Sequence, residues 1–103
     1  MVERGEIWWY EEPDRKRRPV LILTRSAALP VLNQVIGVPA TTRSRGIPTE
    51  VEIGPDQGMP KTGVLALDSL GPHRTALCTD LITTLDDAHM RKVCEALATA
   101  LDC

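Results

Sequence analysis

The stretch EIWWYEEPDRKRRPVLILT, residues 6–24, decides the fold. After Glu6 come four β-favouring residues, and strict alternation puts Ile7 and Trp9 on one face of a strand and Trp8 and Tyr10 on the other. EEPDRKRR follows, a polar run broken by Pro13 with no apolar period, which predicts an exposed loop. PVLILT then predicts a second strand, with Pro19 tolerated because it stands at the beginning, where a missing N–H costs no ladder bond. Two aliphatic-aromatic strands thus flank a loop that carries four consecutive cations, Arg15, Lys16, Arg17 and Arg18, up to the mouth of the second strand.

Beyond the second strand, RSAALPVLNQ is an irregular connection with a short turn of helix, and VIGVPAT is a third strand whose Gly37 and Pro39 predict a bulge or an edge position. TRSRGIP is a basic loop. TEVEIG alternates, with Val51 and Ile53 inward and Glu50 and Glu52 outward. After the turn-rich PDQGMPKTG, GVLALDSL supplies a fifth strand, while residues 71–84 read equally as strand, short helix or both. TLDDAHMRKVCEALATAL places Met90, Val93, Leu97 and Leu101 at helical spacing behind a Thr84 or Asp86 cap. Successive strands and one terminal helix define an α+β class: a mainly antiparallel curved sheet or small β-barrel with a C-terminal helix, expected as one domain over residues 1–103.

Aromatics make up only 3% of the chain and Phe is absent, so the core is aliphatic and small, and a second copy of the chain is expected to complete its burial. No apolar run reaches the roughly 18 residues of a membrane span, and MVERGE lacks the apolar segment of a signal peptide. A cytoplasmic protein without a membrane partner is expected. Cys78, Cys94 and Cys103 form no CxxC pair, so neither a disulfide framework nor a zinc site is predicted, and no metal or cofactor is expected. The formal net charge of −2 argues against a general nucleic-acid binder. Its distribution does not: residues 1–46 carry eight basic against five acidic side chains, residues 47–103 four against nine. A fold that brought the 15–18 cluster beside Arg43 and Arg45 would create one anion-binding surface on an acidic body.

The order RGEIWW, RRPVLILT, VPATT, RGIPTEVEI, GVLALDSL and LITTLDDAHMRKVCEAL resembles the MazF/PemK family of toxin endoribonucleases over nearly the whole chain. The resemblance implies a small barrel of the CcdB/MazF, Src-homology-3-like type and a homodimer. It implies sequence-specific, metal-independent cleavage of single-stranded RNA, arresting translation and growth, and a cognate MazE-like antitoxin whose acidic segment occupies the RNA groove.

Cleavage by the ribose 2′-OH needs a proton acceptor, stabilisation of the phosphorane charge and protonation of the leaving 5′-oxygen. By the resemblance, Arg18 is the catalytic arginine, whose planar fork suits phosphate oxygens, and Thr41 is the catalytic hydroxyl at the end of the third strand. Asp68 matches the acid after the fifth strand, either a general base or a structural acceptor. Two departures bear on it: Ala66 stands where some members carry an arginine, and Ser69, Leu70 and Gly71 replace the usual QVR or QIR. Lys16, Arg17, Arg43 and Arg45 are candidates for backbone phosphate, with Thr42 as a second hydroxyl donor. His73 is a candidate to compensate for the departures, its alternative being an exposed loop histidine. Of the two tryptophans, Trp9 is assigned to the core with Ile7, leaving Trp8 for RNA stacking or an interface. Two alternatives remain open: a non-catalytic CcdB-like toxin that binds gyrase, and a nucleic-acid-binding domain without nuclease activity.

Overall fold

The computed structural model describes residues 1–103. Seven strands are present: β1 (Glu6–Tyr10), β2 (Arg18–Ile22), β3 (Gln34–Thr41), β4 (Glu50–Ile53), β5 (Gly63–Ala66), β6 (Gly71–Arg74) and β7 (Cys78–Thr84). They precede a single α-helix, α1 (Asp87–Leu101), and a 3-10 helix over Ser26–Val31 fills the β2–β3 connection. All pairings are antiparallel, in the order β4-β5-β3-β2-β1-β7, with β6 also on β3. The ambiguous 71–84 segment thus resolves into two strands. None of the helices is long and apolar enough to cross a membrane.

β3 is where the sheet turns its corner. One side of it pairs with β2, while the other pairs first with β6 through residues 34–37 and then with β5 through Ala40 and Thr41. The expected edge or bulge at Gly37 and Pro39 is therefore corrected: β3 is central and continuous. Pro39 falls at the handover between the Gly37–Gly71 and Ala40–Leu65 pairs, where neither neighbour needs its missing N–H. Gly37 is dictated by packing, since a Cβ there would lie 2.5 Å from Val20 Cγ1 and 2.6 Å from His73 Nδ1. The irregularities lie instead in the β1–β7 ladder, whose register shifts between Ile7 and Trp8 and again between Trp9 and Tyr10.

One face of the sheet closes on an aliphatic core that includes Ile7, Leu21, Val38, Leu65, Leu67 and, from α1, Val93, all without solvent exposure. Burying each such side chain contributes about 1.5–3 kcal/mol relative to leaving it in water. α1 presents Val93 and Ala96 to this core with Met90, Leu97 and Ala100 at its margin, whereas Leu101, expected on that face, is exposed. Asp86 is the N-cap, accepting from the His89 N–H at 2.7 Å. The opposite face carries a smaller cluster of Val2, Ile22, Leu29 and Val35, flanked by Trp8 and Cys78.

Candidate functional site

The residue before a proline is held extended, and Arg18 before Pro19 is the first residue of β2, paired with Tyr10 of β1. Thr41 is the last residue of β3, paired with Val64 of β5. The β2–β3 register runs Ile22 to Gly37, Leu21 to Val38 and Val20 to Pro39. Continuing it by two residues sets Arg18 opposite Thr41, so a guanidinium and a hydroxyl far apart in sequence are delivered to one place by rigid strand ends.

That place is a groove of about 1140 Å³ over the ends of β1, β2, β3 and β5. It exceeds the roughly 300–1,000 Å³ of a small-molecule pocket, which suits an extended polymer. Six cations line it, namely Lys16, Arg17, Arg18, Arg43, Arg45 and Lys61, against the two carboxylates Glu50 and Asp68. A chain of net charge −2 therefore concentrates positive potential in one concavity, as a phosphate backbone requires. The loops that supply Lys16–Arg17 and Arg43–Arg45 converge only because β2 and β3 are neighbours.

Within the groove Arg18 is 45% exposed and pairs with Glu12 at 3.9 Å, a contact weak enough to exchange for a phosphate. The Thr41 hydroxyl accepts from the Arg43 N–H at 3.2 Å, which aims its oxygen and leaves its own O–H to donate. Asp68 lies in the 3-10 turn after β5, and its Oδ2 accepts from the Thr49 hydroxyl at 2.5 Å. That bond holds the carboxylate at the groove margin, and Thr49 is buried beneath it. Thr42 also lines the groove, as does Ala66, so the position where the resemblance places an arginine does face it.

The basic loop after β3 is tied down by Glu50. Its carboxylate accepts from the backbone N–H groups of Arg45 at 3.0 Å and Gly46 at 3.1 Å, and from the Ser44 hydroxyl at 3.2 Å. Gly46 sits at φ +64, a left-handed conformation that costs glycine little.

Three expectations are corrected. Trp8 does not line the groove; it packs on the small cluster of Val2, Ile22, Leu29 and Val35, and its Nε1–H donates to Glu6 Oε1 at 3.0 Å. Trp9, assigned to the core, instead lines the groove, and the Arg17 guanidinium carbon lies 4.1 Å from its ring centroid. His73 is neither an exposed loop residue nor a groove residue. It is 6% exposed on β6, its Nδ1 lies 2.9 Å from the Gly71 carbonyl oxygen, and its ring meets Tyr10 edge-on at 4.8 Å. β6 alternation turns it inward, into the space that Gly37 leaves. Burial, and secondarily the Arg18 charge, hold its pKa below the ordinary histidine value.

Lys61, Thr49 and Glu50 escaped the sequence reading. Lys61 lies in a turn whose composition signals only a turn; it reaches the groove because β5 runs against β3 so closely that a Cβ on Gly63 would stand 2.5 Å from the Thr41 carbonyl oxygen.

A family model described as PemK-like, MazF-like toxin of type II toxin-antitoxin system matches residues 3–101. The chain belongs to this family. It is 39% identical over 101 residues to a probable endoribonuclease MazF5 of Mycobacterium tuberculosis (strain ATCC 25618 / H37Rv), covering 97% of this chain and 93% of that protein. Among solved structures, it superposes on an endoribonuclease in complex with its cognate antitoxin from a mycobacterial species with TM-score 0.89 and 29% identity, covering 99% of this chain and 96% of that one. The Mycobacterium tuberculosis toxin MazF-mt6 aligns with TM-score 0.86 and 31% identity over 94% of this chain and 96% of that one. The expected curved antiparallel sheet with a C-terminal helix is the fold these toxins share.

Proposed function

We propose that the chain is a cytoplasmic endoribonuclease toxin that cleaves single-stranded RNA at short sequences in this groove without a metal ion, and that an acidic antitoxin segment neutralises it by occupying the same groove. The observation that carries the reading is that Arg18, at the start of β2, and Thr41, at the end of β3, line one concavity with six cations against two carboxylates. The named activity of its relatives supports it.

In the proposed reaction the ribose 2′-oxygen attacks the adjacent phosphorus as its proton passes to Asp68. The phosphorane charge is met by the Arg18 fork and the Thr41 O–H. The P–O5′ bond then breaks, leaving a 2′,3′-cyclic phosphate, while the 5′-oxygen takes a proton from solvent. Arg43, Arg45, Lys16 and Arg17 hold flanking phosphates, giving affinity without sequence information. The small core favours a homodimer, which light scattering would register as about twice the 11.3 kDa chain mass.

The test is incubation with a long RNA in EDTA and mapping of the new ends. The expected result is defined cuts with 5′-hydroxyl and cyclic-phosphate termini, abolished by Arg18→Ala. An intact RNA, or cuts that appear only when a divalent metal is added, would overturn the reading.

A further inference from the structure

The groove contains one aromatic side chain. The chain's three aromatics, Trp8, Trp9 and Tyr10, are consecutive in β1; Trp8 packs on the small cluster and Tyr10 is buried against His73, so only Trp9 turns a ring toward the concavity. It is half-buried in a groove lined by six cations, an environment that does not explain a large apolar ring unless something covers it. In this structure the cover is Arg17, whose guanidinium carbon lies 4.1 Å from the ring centroid. Arg17 belongs to the exposed polar loop, and stacking on Trp9 is the one partnership its guanidinium makes. A flat guanidinium on an indole occupies the space and orientation that a flat nucleobase would. The site also lies beside the reaction centre: Trp9 pairs with Pro19, and Arg18 with Tyr10 next to it.

From this we infer that Trp9 is the stacking platform for a nucleobase next to the scissile phosphate, and that Arg17 is its removable cover. This inference rests on the RNA reading of the groove proposed above. When single-stranded RNA enters, the base takes the indole face and Arg17, displaced, moves to a backbone phosphate. The exchange is favourable in both halves, because base–indole stacking outweighs an exposed cation–π contact and a guanidinium gains more from a phosphate than from a ring. Such a platform grips any base, so it positions the sugar for attack and leaves sequence choice to the loops.

The test uses short RNA oligonucleotides with 2′-O-methyl riboses, which cannot be cleaved, scanned with an abasic site at each position in turn. For the unaltered protein, one abasic position is expected to weaken binding about ten- to a hundredfold. Trp9→Leu should bind the complete oligonucleotide more weakly by a similar factor and be indifferent to that abasic position, with Trp9→Phe recovering most of the affinity. In a Trp8→Phe background, where Trp9 is the sole indole, saturating oligonucleotide should quench emission, and the abasic version should not. Arg17→Ala should keep the abasic penalty while lowering the salt slope of binding by about 0.7, the loss of one phosphate contact on a single strand.

An abasic penalty that persists in Trp9→Leu, or Trp9 emission blind to the base, would overturn the platform. A salt slope unchanged in Arg17→Ala would overturn the displaced-cover step. Should Trp9→Leu fail to fold, the emission and Trp9→Phe measurements decide alone. If the unaltered protein bound no oligonucleotide at all, the RNA reading itself would fall, an outcome distinct from strong binding without a base-dependent signal. Loss of antitoxin capture in Trp9→Leu with no abasic dependence would make the ring a protein-recognition site and overturn the inference.

Discussion

Replacing Arg18 by alanine should separate catalysis from stability. The side chain is 45% exposed, and its one ion-pair partner is Glu12, itself 35% exposed, at 3.9 Å. An exposed pair of this kind contributes less than about 1 kcal/mol and is screened by salt, so the folded state should lose little. The rate should lose far more. Arg18 is aimed by an extended backbone ahead of Pro19 and by its pairing with Tyr10, and loss of one preorganised donor facing a developing oxyanion costs about 2.7–4 kcal/mol, or 10²–10³ in rate. Arg18→Lys should recover RNA affinity but little of the rate, because an ammonium cannot engage two phosphate oxygens in the plane of a fork. The assay is single-turnover cleavage at saturating RNA, paired with urea unfolding of the same variants. A near-normal single-turnover rate for Arg18→Ala would refute the assignment. A fall in unfolding stability comparable with the rate loss would instead make Arg18 a structural residue.

Thr41→Ala should slow single-turnover cleavage by about tenfold or more through loss of a donor to phosphate, while Thr41→Ser, which keeps the hydroxyl and its bond from the Arg43 N–H, should retain most of the rate; equal losses would exclude the hydroxyl from the chemistry. Glu50→Ala removes the acceptor that holds the Arg45 and Gly46 amides, so hydrogen exchange at those two amides should quicken at least about tenfold, and unchanged protection would show that the loop is held otherwise. For His73, burial lowers the folded-state pKa below the unfolded value of about 6.5, so the unfolded chain binds more protons in the window between them. Stability should therefore be constant above that value and decline as pH falls from about 6.5 towards the folded pKa. Urea titrations across this range should show the decline in the unaltered protein and a shallower one in His73→Leu; identical slopes would remove His73 from the linkage.

Much of this architecture could be read from residue patterns. Val51 and Ile53 alternate with Glu50 and Glu52, and β4 is a strand with the first pair buried; Asp86 stands before the helical period, and it caps α1. Arg18 and Thr41 were legible through their motifs and, with Asp68, Lys16, Arg17, Thr42, Arg43 and Arg45, all line one groove. The strand and the cap are local or periodic, so neighbouring residues carry the information, whereas Arg18, Thr41 and Asp68 were singled out by resemblance to the family.

The tryptophans and His73 were not legible, for an opposite reason. Alternation correctly gives Trp9 the face of Ile7, but whether that face is covered depends on where the sheet ends; at Trp9 the core stops and the groove begins. His73 reads as a polar residue in a loop until β6 pairs with β3 and Gly37 makes room for its ring. The sequence alone determined five of the seven strands, the terminal helix and where cations cluster, because backbone preference and hydrophobic period act over a few residues. Only the tertiary structure decided that Lys61, Thr49 and Asp68 join the 16–18 and 41–45 segments around one cavity. Their meeting depends on β3 leaving β6 for β5 partway along its length, and that exchange is governed by the packing of distant chain segments, which no local pattern encodes.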